Sequence, residues 1–462
     1  MSLRRSRCAP LVLGMILALV GARAEPASPA GTLPEDYLPG LKTILQAALN
    51  QSPPVLSREI EVALSEARVL GVKAQQLPSL SSHVDYARNQ TAISGNTSTE
   101  TSDSGFFYGI DLNQPVFHWG ALKNQTDAAR INVIVAEKNY QEMRRVVAID
   151  LRQRYLALIA KKAVLRQGRF ALGLLAADLK LAREKLADGE AQPNTVKLQQ
   201  LSFDEASLRL ERDEADFTGQ RRSFARLAGL SDFAEDSIPV EIVKPGYPVT
   251  VATELLAAFL RDGAKSTFQA QINELQVHQD DLSYQVTRVR LLPKFNARAS
   301  YGLENTTNAT PNSVLQEGVA RQTVLLNAQW DIFDGFATTA AKREALANKR
   351  LHERALQTSV DEALDKAQAL QRSLALDARA MELTEIHRQQ SADDLARAQA
   401  ELDLGNLPKT TVAGAQSTLY ASEANNTAAR ATFLGHWAEF VSLTGIDPVL
   451  NNVPASHDRE QR

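Results

Sequence analysis

The 462 residues carry 51 Lys+Arg against 54 Asp+Glu, a formal net charge of -3, and that balance excludes a basic footprint for nucleic acid. Hydrophobic residues at 44% and charged residues at 23% fit neither a disordered chain nor a polytopic helical membrane protein. Aromatics are only 6%, and long stretches rich in Ala, Leu, Gln, Glu, Lys and Arg predict extensive helix rather than an α/β enzyme core.

At the start, Arg4, Arg5 and Arg7 precede the apolar run Leu11 to Val20, with small residues at Ala22 and Ala24. That order predicts a secretory signal peptide over residues 1–24, cut after Ala24. Ten apolar residues are too few for a membrane anchor, which needs about 20. The lone Cys8 precedes the apolar run instead of following it, so a lipid-acceptor role does not fit, and the mature chain has no cysteine for disulfides or thiolate metal sites. No later stretch approaches 18 uninterrupted apolar residues, so any crossing of a membrane must use β-strands.

The rest of the chain is duplicated. Gln75-Gln76-Leu77-Pro78 is echoed by Arg290-Leu291-Leu292-Pro293 at an offset of 215, and Phe117/Phe333, Leu186/Leu402, Gly189/Gly405 and Val196/Val412 keep an offset of 216. The first copy is expected over 25–230 and the second over 254–445. Pro239, Pro245 and Pro248 mark a linker over 231–253, and a loosely ordered tail is expected over 446–462.

Within each copy a helix ends at Leu-Pro, since the residue before proline is pushed out of the α region. The period then falls to two: Phe106, Tyr108, Ile110 and Leu112 share one face, opposite Gly109, Asp111 and Asn113, and Phe295, Ala297, Ala299, Tyr301 and Leu303 alternate with Asn296, Arg298, Ser300, Gly302 and Glu304. Strands are predicted at 79–92, 104–117, 294–304 and 321–333, with loops rich in Asn, Thr, Ser and Gly over 93–103 and 305–319. The spans 121–186 and 338–404 lack proline and predict helices of about 100 Å. Beyond Gly189 and Gly405 both copies carry a seven-residue ladder, Val196-Phe203-Leu210-Phe217-Phe224 and Val412-Leu419-Asn426-Phe433-Phe440, the repeat of coiled-coil packing. Asn426 interrupts the second ladder with a polar group suited to fixing register.

Four strands cannot close a transmembrane barrel, so oligomerisation has to complete it. Of the 27 Phe, Trp and Tyr residues, 11 fall within 79–120 and 294–336, a concentration that favours interfacial girdles over a soluble β insert. The polar alternates Asp111, Asn113, Arg298, Glu304, Asn327 and Asp331 are expected to line the lumen, and Phe106, Tyr108, Ala299 and Tyr301 to face lipid.

The duplicated pattern, with Leu-Pro before the first and third strands, Phe117-x-x-Gly120 and Phe333-Asp334-Gly335 after the second and fourth, and turns at Gly189 and Gly405, resembles the outer membrane efflux protein family, the TolC-like channels, over nearly the whole mature chain. The resemblance implies a homotrimer whose twelve strands form one barrel in outer-membrane lipid above a periplasmic helical tunnel. It implies that the hairpin tips, here Leu186, Asp188 and Gly189 with Leu402, Asp403, Leu404 and Gly405, meet a periplasmic adaptor protein linked to an inner-membrane transporter, a proton-driven pump or an ATP-driven exporter. Efflux of small molecules is the favoured role, and type I protein secretion the alternative. Members resembling the founding channel carry carboxylates six and nine residues past the second tip glycine; here Thr411 and Gly414 stand at that tunnel entrance, so an acidic ring there is not expected.

Enzyme chemistry finds no residues to use. The histidines at 83, 118, 278, 352, 387, 436 and 457 are scattered, and neither a metal-ligand pair, nor a phosphate-cradling loop, nor a nucleophile elbow occurs. No cofactor is implied. A secreted coiled-coil scaffold would account for the heptads but not for paired strands of bilayer length.

Overall fold

A computed structural model describes residues 33–93, 99–310, 313–445 and 447–448; the expected signal peptide and most of the expected tail lie outside them. The first half runs α1 (Pro34–Tyr37), α2 (Pro39–Gln51), α3 (Pro53–Ala74), β1 (Ser79–Ile93), β2 (Thr99–Phe117), α4 (Ala121–Ala187) and α5 (Pro193–Ala228). After a short 3-10 turn at Glu235–Ser237 the second half runs α6 (Val249–Asp262), α7 (Phe268–Arg288), β3 (Lys294–Thr310), β4 (Ser313–Gln329), α8 (Ala337–Asp403) and α9 (Lys409–Leu443). α1, α2, α3 and α5 start on proline, whose missing N–H costs nothing where a helix has no partner for it.

α4 and α8 are 67 residues each, about 100 Å at 1.5 Å per residue. α4 packs against α3, α5, α7 and α9, and α8 against α7 and α9. The core gathers midway along α4, where Leu151, Tyr155, Leu158 and Ile159 meet Phe217 and Phe224 of α5, Phe433, Trp437 and Phe440 of α9, and Leu41 and Leu45 of α2. The last two rungs of each seven-residue ladder are therefore buried, while Val196, Phe203, Val412 and Leu419 nearer the tips are half-buried. Folding energy is concentrated away from the tips. α2 and α6, two short amphipathic helices outside the sequence expectations, insert Leu41, Leu45, Ala252 and Phe259 into this core.

Arg152 of α4 is fully buried and clasps two carboxylates, with Nε and Nη2 donating to Glu35 (3.0 and 2.5 Å) and Nη1 and Nη2 to Asp447 (2.5 and 3.0 Å). Burial by itself would lower the Arg152 pKa, but the carboxylates of Asp447 and Glu35 outweigh it and hold the guanidinium charged. Asp447 falls in the segment expected to be loosely ordered, yet it is 0% exposed, because a carboxylate taken from water is retained only where a cation compensates it.

Among the described residues the strands form one antiparallel sheet in the order β1-β2-β3-β4. Pairing of β2 with β3 joins the two copies, and β1 and β4 remain open edges. Strand bounds differ from expectation. β2 begins at Thr99, β3 reaches Thr310 and β4 starts at Ser313, so most of the Asn-, Thr- and Ser-rich segments expected as loops continue the ladder, since alternation reports a buried face and not backbone pairing. At the other end β4 stops at Gln329 instead of 333: Gln329 pairs with Lys294, and the preceding Pro293 has no N–H to extend the ladder.

Candidate functional site

The strand register sorts the sheet into two faces. Tyr86 lies opposite Phe106, Val84 opposite Tyr108, Tyr108 opposite Leu303, Ile110 opposite Tyr301, and Leu112 opposite Ala299, which in turn faces Val324. Most of these side chains are exposed in the single chain, Val324 at 86% and, on the same face of β1, Leu80 at 72%, while Ala299 and Leu303 are half-buried. A continuous apolar surface of this size on an extended sheet needs a non-aqueous neighbour. On β3 it runs from Phe295 to Leu303, and at about 3.3 Å per residue with a tilt near 40° it spans about 23 Å, the height of an outer-membrane apolar band.

Of the residues expected in the lumen, Asp111, Asn113, Arg298, Glu304 and Asn327 share the opposite face: Asn113 faces Arg298, Phe107 faces Glu304, and Asn296 faces Asn327. Asp331 does not join them on a strand. It lies past the end of β4, with Lys294 Nζ 3.7 Å away. Arg298 Nη2 donates to Asp111 Oδ1 at 2.9 Å, and His83 Nδ1 lies 3.5 Å from Asp111 Oδ2, so one carboxylate links three strands. Gly109 makes room for this, since a Cβ there would collide with the His83 ring.

Where strands pass into helices, the two copies use matching turns. Trp119 and Gly120 in the first, and Gly335 and Phe336 in the second, take positive φ of 55°, 80°, 64° and 69°. Left-handed backbone costs a bulky residue about 1–2 kcal/mol, and ring contacts help hold both: Trp119 lies 4.9 Å from Phe117 and donates Nε1–H to the Pro293 carbonyl at 2.7 Å, and Phe336 lies 5.4 Å from Phe333. Trp330 Nε1–H bonds the Leu291 carbonyl at 3.1 Å. Trp119, Trp330, Phe333 and Phe336 are all exposed at the foot of the apolar face, as amphipathic rings are at a membrane interface.

At the far end of the long helices the two tips are built alike. Gly189 (φ 81°) and Gly405 (φ 78°) take the left-handed position; their N–H groups bond Leu186 O (3.1 Å) and Leu402 O (2.9 Å), and the following Glu190 and Asn406 bond Lys185 O and Glu401 O (both 2.8 Å). This paired closure satisfies the last helical carbonyls and turns the chain sharply. Asp188, Asp403 and Leu404 are exposed and Leu186 and Leu402 half-buried. Thr411 and Gly414 lie exposed in the first turns of α9, close in sequence to the second tip.

Sequence reasoning passed over the polar cluster between the tips and the core. Glu385 of α8 accepts from Arg388 (2.7 Å), Arg430 (2.7 Å) and Asn426 (2.8 Å), while Arg430 also reaches the Ile242 carbonyl at 2.5 Å. The Arg388 guanidinium, with Asn426 and Arg430, overrides burial and lowers the Glu385 carboxyl from 4.5 to about 2. Nearby Arg166 of α4 meets Glu423 at 2.5 Å and stacks over Tyr420 at 4.8 Å, and burial pushes the Glu423 carboxyl up. The one available signal was Asn426, the polar rung in the ladder. Among the described residues no acid, histidine or cysteine cluster suits a metal ion, and no helix is long and apolar enough to cross a membrane.

The sequence pattern of one family, outer membrane efflux protein, matches residues 44–230 and 267–445, one segment in each half of the duplication. The chain belongs to the outer membrane efflux protein family. Among solved structures, this efflux-family chain is similar to the outer membrane channel CmeC of Campylobacter jejuni, with 13% identity, a TM-score of 0.71, and 95% of this chain and 93% of that one covered. A membrane protein from Pseudomonas aeruginosa gives 17% identity, a TM-score of 0.66, and coverage of 91% and 98%. The outer membrane channel MtrE of Neisseria gonorrhoeae, solved in its open state, gives 14%, 0.61, and coverage of 88% and 89%. At such identities the likeness is one of fold. No curated protein sequence gives a match.

Proposed function

We propose that the protein is the outer-membrane channel-tunnel of a tripartite efflux system, passing small molecules from an inner-membrane pump and its periplasmic adaptor to the outside. The observation that carries this reading is the sheet, with an exposed apolar face of bilayer height, a polar opposite face and two unpaired edges, set on helices of about 100 Å. Backbone groups on an open edge cannot remain unpaired in lipid, so β4 of one copy pairs with β1 of the next, and three copies close a twelve-stranded barrel. Asp111, Asn113, Arg298, Glu304 and Asn327 then line its lumen, with Asp331 at its periplasmic rim.

The long helices carry the duct into the periplasm, where the tips at Leu186, Asp188, Gly189, Leu402, Asp403, Leu404 and Gly405 dock the adaptor, and Thr411 and Gly414 lie at the entrance. Gating there works without a ring of carboxylates at those two positions. The test is assembly with conduction. The mature protein in mild detergent is expected to be a trimer and to conduct ions in a planar phospholipid bilayer; a monodisperse monomer without conductance overturns the reading.

A further inference from the structure

The strands outrun the apolar band. Above Tyr86, Phe106 and Leu303 the ladder continues to Ile93, Thr99 and Thr310, seven residues on each strand, or about 23 Å. Just above these rings the lipid-side face turns polar, at Ser104, Asn305, Thr307 and Gln316. A depression of about 440 Å³ lies there, bounded by Tyr86 and Phe106 below and by Ser104, Asn305, Thr307 and Gln316 above. Register puts these six on one face: Tyr86 opposite Phe106, Phe106 opposite Asn305, Ser104 opposite Thr307, and Thr307 opposite Gln316. Gly318, opposite Asn305 on the same face, supplies the space. Glu317 borders the depression from the neighbouring position, whose side chain belongs to the other face.

The lining has one chemistry. Two rings with centroids 5.0 Å apart, tilted by 52°, offer electron-rich faces to C–H surfaces, and two amides with two hydroxyls offer both donors and acceptors. Arg88, exposed and directly opposite Ser104, makes no ion pair among the described residues. Rings, amides and hydroxyls suit a pyranose, with C–H faces and hydroxyl edges, and the cation suits a phosphate on it. The headgroups of phosphatidylethanolamine and phosphatidylglycerol have no comparable array of hydroxyls. Its height, one step beyond the apolar band, is that of the outer headgroup layer. Closure of the barrel through β1 and β4 uses the sheet edges and leaves this face uncovered.

We propose that this depression binds the phosphorylated saccharide headgroup of an outer-leaflet glycolipid, one per chain. The proposal rests on the assignment of the apolar face to lipid. The test uses delipidated full-length trimer in mild detergent, titrated with purified lipopolysaccharide truncated to lipid A and its inner-core sugars and followed by native mass spectrometry. Wild type is expected to bind one molecule per chain, and the deacylated saccharide is expected to compete. The double variant N305L/Q316L, and separately Tyr86→Ala, weaken binding about tenfold, while Ser81→Leu on the opposite face does not. Phosphatidylglycerol, anionic but without sugar, binds about tenfold or more weakly. Unchanged binding in N305L/Q316L, equal binding of phosphatidylglycerol, or no competition by the deacylated saccharide overturns the proposal. Conductance of the same preparations in a phospholipid bilayer separates the failures: an intact channel without saccharide binding removes only this inference, whereas a wild type that neither assembles nor conducts removes the channel reading beneath it.

Discussion

Asn426 shows what one polar rung does in an apolar ladder. At the matching step of the first copy stands half-buried Leu210; Asn426 is 2% exposed, donates to Glu385 and accepts from Thr384 Oγ1 at 3.2 Å. Sliding α9 along α8 by one rung would bury these groups unpaired, so the cluster fixes register. Because the Glu385 carboxyl is depressed from 4.5 to about 2, it contributes stability that is present above about pH 5 and is lost as pH falls toward 2. With the side chain 14% exposed, the contribution is about 1–3 kcal/mol after allowance for solvent screening. Glu385→Gln is expected to raise amide hydrogen exchange along 380–430 at pH 7 by the corresponding factor, and the difference from wild type is expected to shrink as pH is lowered through that window. Equal exchange at pH 7 would show that the cluster does not hold α8 to α9. Its chemistry was only half legible in the sequence: the odd rung was visible at Asn426, but Glu385, Arg388 and Arg430 are among many charged residues on helices, most of which form solvated faces, and only packing selects them.

At the scale of elements, proline and glycine carried the most information. Pro78 and Pro293 mark where helices give way to strands, and Gly189 and Gly405 mark the tips within a residue or two, because both residue types act through local backbone sterics. Strand ends were less legible. Alternation reports the apolar band, so it stops at Glu304 on β3 although the ladder continues to Thr310, and it runs on to Phe333 after β4 although pairing ends at Gln329. The Arg152 clasp left no signal, since its partners stand 117 and 295 residues away. The facing of the sheet can be tested one residue at a time. Ala299→Arg, on the apolar face, is expected to lower stability by about 2–4 kcal/mol at mid-bilayer depth, read by heat or denaturant unfolding of the trimer in detergent or lipid. Ser300→Arg, its neighbour on the polar face, is expected to assemble normally and change only single-channel conductance. The reverse ranking would show that the two faces are exchanged.

For the whole molecule, the two ends of the long helices separate two kinds of work. The proposed trimer would present six tips, whose repeated weak contacts to an adaptor ring would add through avidity. Leu404→Arg and Gly405→Trp are therefore expected to abolish export in cells while trimer assembly and bilayer conductance stay intact, because the buried core lies far along α4 and α9 from these turns. Cysteines introduced at Asp188 or Asp403 are expected to crosslink to the adaptor in cells; export at the wild-type level by both tip variants, with no crosslinking, would move docking elsewhere on the tunnel. The clasp at Arg152 adds a schedule to this architecture. The guanidinium is synthesised long before Asp447, 295 residues later in the chain, and contacts of that sequence separation close slowly. Until the late carboxylate arrives, the site holds a cation with only Glu35 to compensate it. The buried core around Arg152 is therefore complete only once both halves of the duplication are present, so a chain halted after α5 carries an unfinished core alongside its open β edges.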